Sequence, residues 1–213
     1  MPTTVFLVRH AETYGNVDGL FCGHSETELT PKGVAQAQAL GLRFARQKFD
    51  AAYSSDLSRA HRTATYALEH HHPPLTPVLD PGLREMHYGQ WEALSGRAIG
   101  ETSRDLLREF FQCKAPAPGG ESVQQVRERT AEALKRRVAE HPDETILVVS
   151  HGNAIMAMLA EILAMPYESS WSFAVANTSI TRMVFSKSGR MTLTGFNDHA
   201  HLEGESAPSA LFG

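Results

Sequence analysis

The sequence predicts an α/β fold: a three-layer α/β/α sandwich with a mostly parallel sheet and an antiparallel strand at its C-terminal edge. Two apolar runs, residues 5–8 and 145–150, are rich in β-branched side chains, as is typical of strands with both faces buried. Strand patterns alternate repeatedly with helical patterns, which favours parallel pairing through crossover helices. A Ser-Lys-Ser-Gly turn at residues 186–189 separates the last two strands and predicts a hairpin.

Length and composition predict a single domain over residues 1–213, with a short helical insertion at about residues 97–118. The net charge of −4 disfavours a nucleic-acid partner, since such proteins usually carry a basic patch. The two cysteines have no motif spacing, so we expect neither a disulfide framework nor a metal site. The first residues lack a secretory signal pattern, and the most apolar long window, residues 154–165, is too short to cross a bilayer. We therefore expect a cytoplasmic protein that does not bind membranes.

The first half of the chain shows start and stop signals for two helices. Thr30 and Pro31 are a typical N-cap and first helical residue, and helical spacing follows them. Residues 49–54 predict the second strand, and Asp56 after it predicts the N-cap of the next helix. That helix is expected to end at the histidine run of residues 70–72, which precedes two prolines. Consecutive histidines do not share a helix face, so a solvated helix end is favoured over a metal site.

The second half has one strong helix signal and several weaker ones. Ser122 and Gln125 match a capping box, which predicts a helix that ends near Pro142. The last ten or so residues are small and polar and predict a loose tail. The remaining elements are expected at residues 76–79 (a weak third strand), 104–111 (a short helix), 155–163 (a helix), and 178–185 and 190–196 (the hairpin strands).

Polar side chains follow the carboxyl end of each predicted parallel strand. These ends share one edge of a parallel sheet, where open α/β folds bind ligands, so we expect the side chains to lie around one crevice. In chain order they are Arg9, His10 and Asn16; Ser54, Ser55, Asp56 and Arg59; Arg84, Glu85 and His87; and His151.

These residue types suit the transfer of a phosphoryl group. Arginines and a helix N-terminus can hold phosphoryl oxygens, a neutral histidine can attack phosphorus, and a carboxylic acid can protonate the leaving oxygen. No carboxylate cluster suited to Mg²⁺ is apparent, so neither a metal nor another cofactor is expected. Each residue also has an ordinary structural alternative: Arg59 could be solvated, Glu85 could pair with an arginine, and His151 could cap a helix. Their joint occurrence at separate strand ends favours a site.

Motifs along nearly the whole chain resemble those of the histidine phosphatase family, also called the phosphoglycerate-mutase-like family. The resemblance is specific because the motifs also occur in the family's order. They are Arg-His-Ala-Glu-Thr at residues 9–13 followed by Asn16, Ser-Ser-Asp-Leu-Ser-Arg-Ala-His-Arg-Thr-Ala at 54–64, Leu-Arg-Glu with Gly-Gln-Trp-Glu at 83–92, Gly-Gly-Glu-Ser at 119–122, and Val-Ser-His-Gly at 149–152.

The resemblance implies roles for the shared residues in a metal-free enzyme without a cofactor. His10 is expected to be the nucleophile that becomes phosphorylated, and Glu85 the general acid that then serves as the base. The expected partner is a small phosphorylated substrate. The residues expected to hold the phosphoryl group or the rest of the substrate are Arg9, Asn16, Gly23, Arg59, His151 and Gly152.

Within this family the sequence favours a phosphatase and leaves two alternatives open. Phosphoglycerate mutases carry a long insertion with paired arginines, whereas residues 96–119 here are short and have no adjacent arginine pair. Residues 21–23 and 151–153 are closer to mutases, so a cofactor-dependent phosphoglycerate mutase is the first alternative. The second is a non-catalytic phosphate-binding module, which would not need Glu85. The sequence does not select a substrate, and the hairpin edge at 178–196 could pair with a second chain in a homodimer.

Overall fold

The computed structural model describes residues 2–202, and these contain a six-stranded mixed sheet. The predicted loose tail lies outside the described residues. The strands are β1 (Thr3–Arg9), β2 (Ala51–Ser54), β3 (Val78–Leu79), β4 (Thr145–Ser150), β5 (Ile180–Phe185) and β6 (Met191–Asp198). The helices are α1 (Tyr14–Val17), α2 (Pro31–Phe44), α3 (Ser58–Ala67), α4 (Gly96–Phe111), α5 (Val123–Glu140) and α6 (Gly152–Ile162).

The strand order β3-β2-β4-β1-β5-β6 confirms the predicted fold class. Strands β1 to β4 run parallel, whereas β5 pairs antiparallel with β1 and β6 pairs antiparallel with β5. Arg9 pairs with Ser150, and Ser54 pairs with Val149, so β1, β2 and β4 end together. We call this end of the sheet the carboxyl edge.

Helices cover both faces of the sheet, which explains why the central residues of β1 and β4 are apolar without alternation. Val5 and Leu7 of β1 point to one face and pack in a cluster with residues of α5 and α6. Val8 points to the other face and packs in a cluster with residues of α2 and α3. Because side chains alternate between the two faces of a strand, one apolar run contributes to the hydrophobic core on each side of the sheet.

The predicted insertion folds as α4, which is longer than the expected short helix. It is kinked at Ser103, whose φ of −146° and ψ of 42° are not helical. Ile99 and Phe110 of α4 pack against Tyr88 and Trp91 in a third buried cluster. The insertion is thereby fixed to the loop that follows β3.

The capping of α5 agrees with the sequence, but that of α3 does not. Ser122 and Gln125 form the predicted capping box. Asp56 was expected to cap α3, yet α3 begins at Ser58 and its N-cap residue makes no side-chain cap. Glu26, from the loop after β1, accepts from the Ser58 amide and hydroxyl in its place. Asp56 instead accepts two charge-assisted bonds from one guanidinium, which are stronger than a backbone cap.

The histidine run is solvated only in part: His70 and His72 are exposed, whereas His71, four residues after the end of α3 at Ala67, is buried. The ring atom Nε2 of His71 accepts from the Phe49 amide at 3.1 Å, and Nδ1 lies 2.7 Å from the Pro73 carbonyl oxygen. His71 therefore joins the end of α3 to the start of the second strand region. Over residues 2–202, no group of three or more His, Cys, Asp or Glu side chains could hold a metal ion. In the same range no helix is both long and apolar enough to span a bilayer.

Candidate active site

His10 lies at the carboxyl edge directly after β1, and only 4% of it is exposed. Its ring atom Nδ1 lies 2.7 Å from the Ala11 carbonyl oxygen. A carbonyl oxygen only accepts hydrogen bonds, so Nδ1 carries the proton and Nε2 of the neutral ring keeps its lone pair. Burial and the positive charges of Arg59 and Arg9 hold the pKa of His10 well below its usual value. His10 is therefore neutral near pH 7, with Nε2 available as a nucleophile.

Two guanidiniums lie close enough to His10 to act on its charge. Arg59, in the first turn of α3, is 2% exposed, and it donates to the carbonyl oxygens of Ser25 at 2.9 Å and Gly23 at 2.6 Å. Arg9 donates from Nη1 to the Val175 carbonyl oxygen at 2.6 Å, while its buried Nε has no partner among residues 2–202. Burial lowers the pKa of both guanidiniums. A guanidinium has five N–H donors, so both keep donors for a bound anion.

His151 directly follows β4, and its ring is fully buried. Neither Nδ1 nor Nε2 has a hydrogen-bond partner within the described part of the chain. The ring centroid lies 5.1 Å from that of His10. Burial, followed by the charge of Arg59, holds the pKa of His151 well below its usual value. Since unpaired buried polar atoms are costly, this arrangement indicates that a ligand completes the bonds of His151.

Gly152, the first residue of α6, lies against the Arg9 guanidinium. A Cβ atom at this position would lie 3.4 Å from Nε and 3.5 Å from Cζ of Arg9, which are ordinary van der Waals distances. The start of α6 and Arg9 therefore line the same part of the crevice.

Glu85 lies in the loop after β3 and faces the first turn of α6. Its Oε1 accepts from the amides of Met86 at 2.9 Å and Ala154 at 2.8 Å. Its Oε2 accepts from the Asn153 amide at 3.1 Å. These three bonds fix the orientation of the Glu85 side chain at the start of α6.

Asn16 reaches the crevice with the help of Asn177, a residue that sequence reasoning missed. The Asn16 atom Oδ1 accepts from the Thr13 amide at 3.1 Å and from Asn177 Nδ2 at 3.3 Å. Asn177 Nδ2 also donates to the His10 carbonyl oxygen at 2.9 Å. Because β5 runs opposite to β1, the residues before β5 arrive at the carboxyl edge. The polar stretch ahead of an antiparallel strand was the signal that could have identified Asn177.

Glu92 joins the two loops that carry Arg59's acceptors and Glu85. Its Oε1 accepts from the amides of His24 at 2.9 Å and Tyr88 at 3.0 Å. Its Oε2 accepts from the Ser25 amide at 2.8 Å and from the Ser25 hydroxyl. Burial opposes ionisation, but these donors outweigh it and lower the pKa of Glu92. Gly23 is required here, because a Cβ would lie 2.7 Å from the carbonyl oxygen of Met86.

Arg129 of α5 binds the backbone around Glu85. The sequence did not predict this role, because the only pattern that α5 showed was its apolar stripe. Arg129 donates to the carbonyl oxygens of Gly82 at 3.1 Å, Arg84 at 3.0 Å and Glu85 at 3.2 Å. Its Nε and Nη2 each lie 2.8 Å from the Glu121 carboxylate. The loop after β3 is thereby fixed from the helix layer.

The structure divides the expected site residues into two groups. An inner group surrounds the crevice, and its members' roles stay predictions: Arg9, His10, Asn16, Gly23, Arg59, Glu85, His151 and Gly152. Other expected residues lie further out, where Arg84 pairs with Asp56 and the rings of His87 and His24 lie 4.9 Å apart. We define the pocket mouth as these three expected residues, Asp56, Arg84 and His87, together with three residues near them that the sequence analysis did not single out: His24, Glu26 and Glu121.

Comparison with known proteins places the chain in one family. A family model described as the histidine phosphatase superfamily (branch 1) matches residues 5–199. The chain is 35% identical over 175 residues to an adenosylcobalamin/alpha-ribazole phosphatase of Salmonella typhimurium, which covers 80% of this chain and 85% of that protein. It is 36% identical over 168 residues to a 2,3-bisphosphoglycerate-dependent phosphoglycerate mutase of Brucella canis, with 75% and 81% covered.

A solved structure extends the similarity to a ligand complex. It is a mutant phosphoserine phosphatase of Entamoeba histolytica in complex with phosphoserine. It matches with a TM-score of 0.82 at 29% identity, and covers 94% of this chain and 99% of that one.

Proposed function

Because the chain belongs to the histidine phosphatase superfamily and is a phosphatase, we propose that it hydrolyses phosphomonoesters through a phosphohistidine at His10, without a metal ion. The observation that carries the proposal is the pair of buried, unbonded nitrogens of His151 beside the neutral His10. A phosphoryl group held by His151, Arg9 and Arg59 would complete those hydrogen bonds.

The first step transfers the phosphoryl group to the protein. Nε2 of His10 attacks phosphorus while the bond from phosphorus to the leaving oxygen breaks. Glu85, protonated at this stage, gives its proton to that oxygen, so the alcohol leaves uncharged. In the second step Glu85, now a carboxylate, removes a proton from water, whose oxygen attacks phosphorus as the N–P bond breaks. Phosphate leaves, and both side chains return to their starting states.

The surroundings of His10 support both steps without a metal ion. Arg9, Arg59 and the start of α6 direct positive charge at the place where the equatorial oxygens of the transferring group would lie. The same charges disfavour a protonated His10, which keeps the nucleophile ready. Asn16 supplies a further donor, because its Oδ1 is already used by Thr13 and Asn177.

The substrate we propose is a small phosphorylated metabolite. The Salmonella relative is named for adenosylcobalamin and alpha-ribazole, and the Entamoeba structure holds phosphoserine. We propose that this chain also acts on a small phosphorylated molecule, which need not share the other charges of either ligand, with neither a nucleic acid nor a membrane as partner. The net charge of −4 supports that choice against nucleic acids.

Phosphate release from p-nitrophenyl phosphate and a panel of natural phosphomonoesters, with excess chelator present, tests the proposal. We expect release that resists the chelator and an acid-labile phosphate on the protein. Loss of release with chelator and recovery with a divalent metal would contradict metal independence. Absence of release from every panel member would contradict the hydrolase.

A cofactor-dependent phosphoglycerate mutase is the second candidate, because of the 36% identity to the Brucella mutase. A mutase must hold a second anionic group of its substrate and exclude water from the phosphoenzyme. Interconversion of 2- and 3-phosphoglycerate, with and without 2,3-bisphosphoglycerate and without net phosphate release, would favour the mutase. The non-catalytic alternative is not pursued, since the family and its named phosphatases support an enzyme.

A further inference from the structure

Several residues of the pocket mouth lie close to Glu85 in space or in the chain. Glu85 protonates the leaving oxygen, so that oxygen lies beside Glu85. The His24 atom Nε2 lies 3.0 Å from the Glu85 carbonyl oxygen, and Arg84 and His87 are its neighbours in the chain. The charges of these residues therefore act on the part of the substrate that is not the phosphoryl group.

Two guanidiniums close to Glu85 are already bound to carboxylates. Arg84 donates to Asp56 from Nε at 2.7 Å and from Nη2 at 2.6 Å. Arg129 donates to Glu121 through two bonds of 2.8 Å. A bidentate pair occupies the edge of the guanidinium that a substrate carboxylate or second phosphate would need.

The remaining groups of the pocket mouth add no positive charge for an anion. Burial lowers the pKa of His24, and its bond to the Glu85 carbonyl oxygen opposes this only in part, so His24 is neutral near pH 7. Glu26 contributes a further carboxylate, held by its bonds to Ser58. Within the pocket mouth, carboxylates therefore outnumber guanidiniums.

The insertion does not change this balance. Arg97 and Arg108 of α4 pair with Glu101 and Asp105 along their own helix. Arg104 and Lys114 are exposed, so solvent screens their charges.

From this charge arrangement we infer that the substrate is a single phosphoryl group on an uncharged or cationic leaving group, and that a carboxylate or second phosphate near the ester makes a poor substrate. The inference rests on the proposed hydrolase and narrows its substrate class. The two free guanidiniums, Arg9 and Arg59, are sufficient for one phosphoryl group, and the charges beyond them repel a second anion.

Matched substrate pairs that differ by one carboxylate test the inference on the unmodified protein. The pairs are glycerol 3-phosphate with 3-phosphoglycerate, and phosphoethanolamine with phosphoserine. We expect kcat/KM to be at least about tenfold lower for the carboxylated member of each pair. The difference should shrink as ionic strength rises, since salt screens the repulsion. Equal or higher kcat/KM for the carboxylated members would overturn the inference.

A variant tests whether the pairing of Arg84 is the cause. Asp56→Asn releases Arg84, and we expect the ratio of kcat/KM for 3-phosphoglycerate to that for glycerol 3-phosphate to rise by about threefold or more. Glu140→Gln removes a carboxylate at the far end of α5 and is the matched control, with an unchanged ratio expected. An equal ratio in both variants would overturn the assigned cause. Failure to release phosphate even from p-nitrophenyl phosphate would instead contradict the proposed hydrolase.

Discussion

Two histidine clusters of this protein differ in how their ring nitrogens are bonded. Beside the start of β4, His141 has the Tyr53 hydroxyl 2.6 Å from Nε2 and the Glu144 carboxylate 2.6 Å from Nδ1. At the carboxyl edge, both nitrogens of His151 are buried without a partner in residues 2–202, and His10 uses only Nδ1 in a recorded bond. One cluster is complete by itself, whereas the other keeps buried nitrogens that a bound ligand can pair with.

The contrast shows that residue types alone do not identify a site. Both clusters combine histidine with arginine and carboxylate, since Arg137 lies 4.5 Å over the Tyr53 ring and pairs with Asp80. What separates them is hydrogen-bond completion. Satisfied buried groups stabilise the fold, whereas unsatisfied ones cost stability and persist where function requires them.

The largest expected effect comes from removing the proposed nucleophile. His10→Ala should lower phosphate release by at least about 10³-fold and abolish the acid-labile phosphoenzyme. Single-turnover labelling with a radioactive phosphomonoester measures both. Labelling that persists in this variant would refute the assignment and make His151 the next residue to test.

Glu85→Gln should come next, with kcat reduced by about 10²- to 10⁴-fold for alkyl phosphates. The reduction should be smaller for p-nitrophenyl phosphate, whose leaving group needs little protonation. Binding of inorganic phosphate should change little, because the guanidiniums and His151 remain. Weaker phosphate binding with unchanged turnover would show that Glu85 has a different role.

His141→Ala tests the complete cluster and should lower stability while leaving activity nearly unchanged. The free energy of unfolding should fall by about 0.5–1.5 kcal/mol, because the Tyr53 hydroxyl loses one of its hydrogen bonds. Urea denaturation measures this loss, and kcat/KM should stay within about threefold of the unmodified value. A large loss of activity in a folded His141→Ala protein would break the comparison between the clusters.

The pH dependence of stability should also separate the clusters. The pKa values of His10 and His151 are lowered in the folded protein, so it binds fewer protons than the unfolded chain. Stability should therefore fall as pH drops below about 6.5, by up to about 1.4 kcal/mol per pH unit for each histidine. Urea denaturation between pH 7 and pH 5 should show a shallower slope in His10→Ala. An identical slope would mean that His10 does not contribute to it.

Among the variants at the carboxyl edge, the smallest loss of activity is expected for Asn177, which contacts the backbone of the proposed nucleophile. Asn177→Ala should lower kcat by about tenfold with little change in KM, since it loosens His10 and Asn16 together. Asn177→Asp, which keeps the size but places an acceptor against two acceptor oxygens, should lower kcat further. Full activity in both variants would exclude a positioning role.

Much of the fold followed from the sequence, because apolar strand runs and helix caps are local signals. The inner group was predictable for a related reason: parallel strands bring their carboxyl ends to one edge, so residues such as His10 and His151 meet. Asn177 was not predictable in this way, because its position depends on an antiparallel strand far along the chain. The predicted N-cap of α3 was wrong because the prediction chose Asp56, the carboxylate nearest in the sequence. Folding instead brings Glu26 from another loop to the helix start.

The position of β1 in the sheet has a consequence for synthesis of the protein. β1 ends beside the proposed nucleophile, yet its two neighbours, β4 and β5, are translated only from residues 145 and 180 onward. A growing chain on the ribosome therefore exposes the apolar side chains of β1 until both neighbours have been made, and long-range pairing of this kind folds slowly. The pairing of β1 is thus completed late, so a chain terminated before β5 would lack one neighbour of β1.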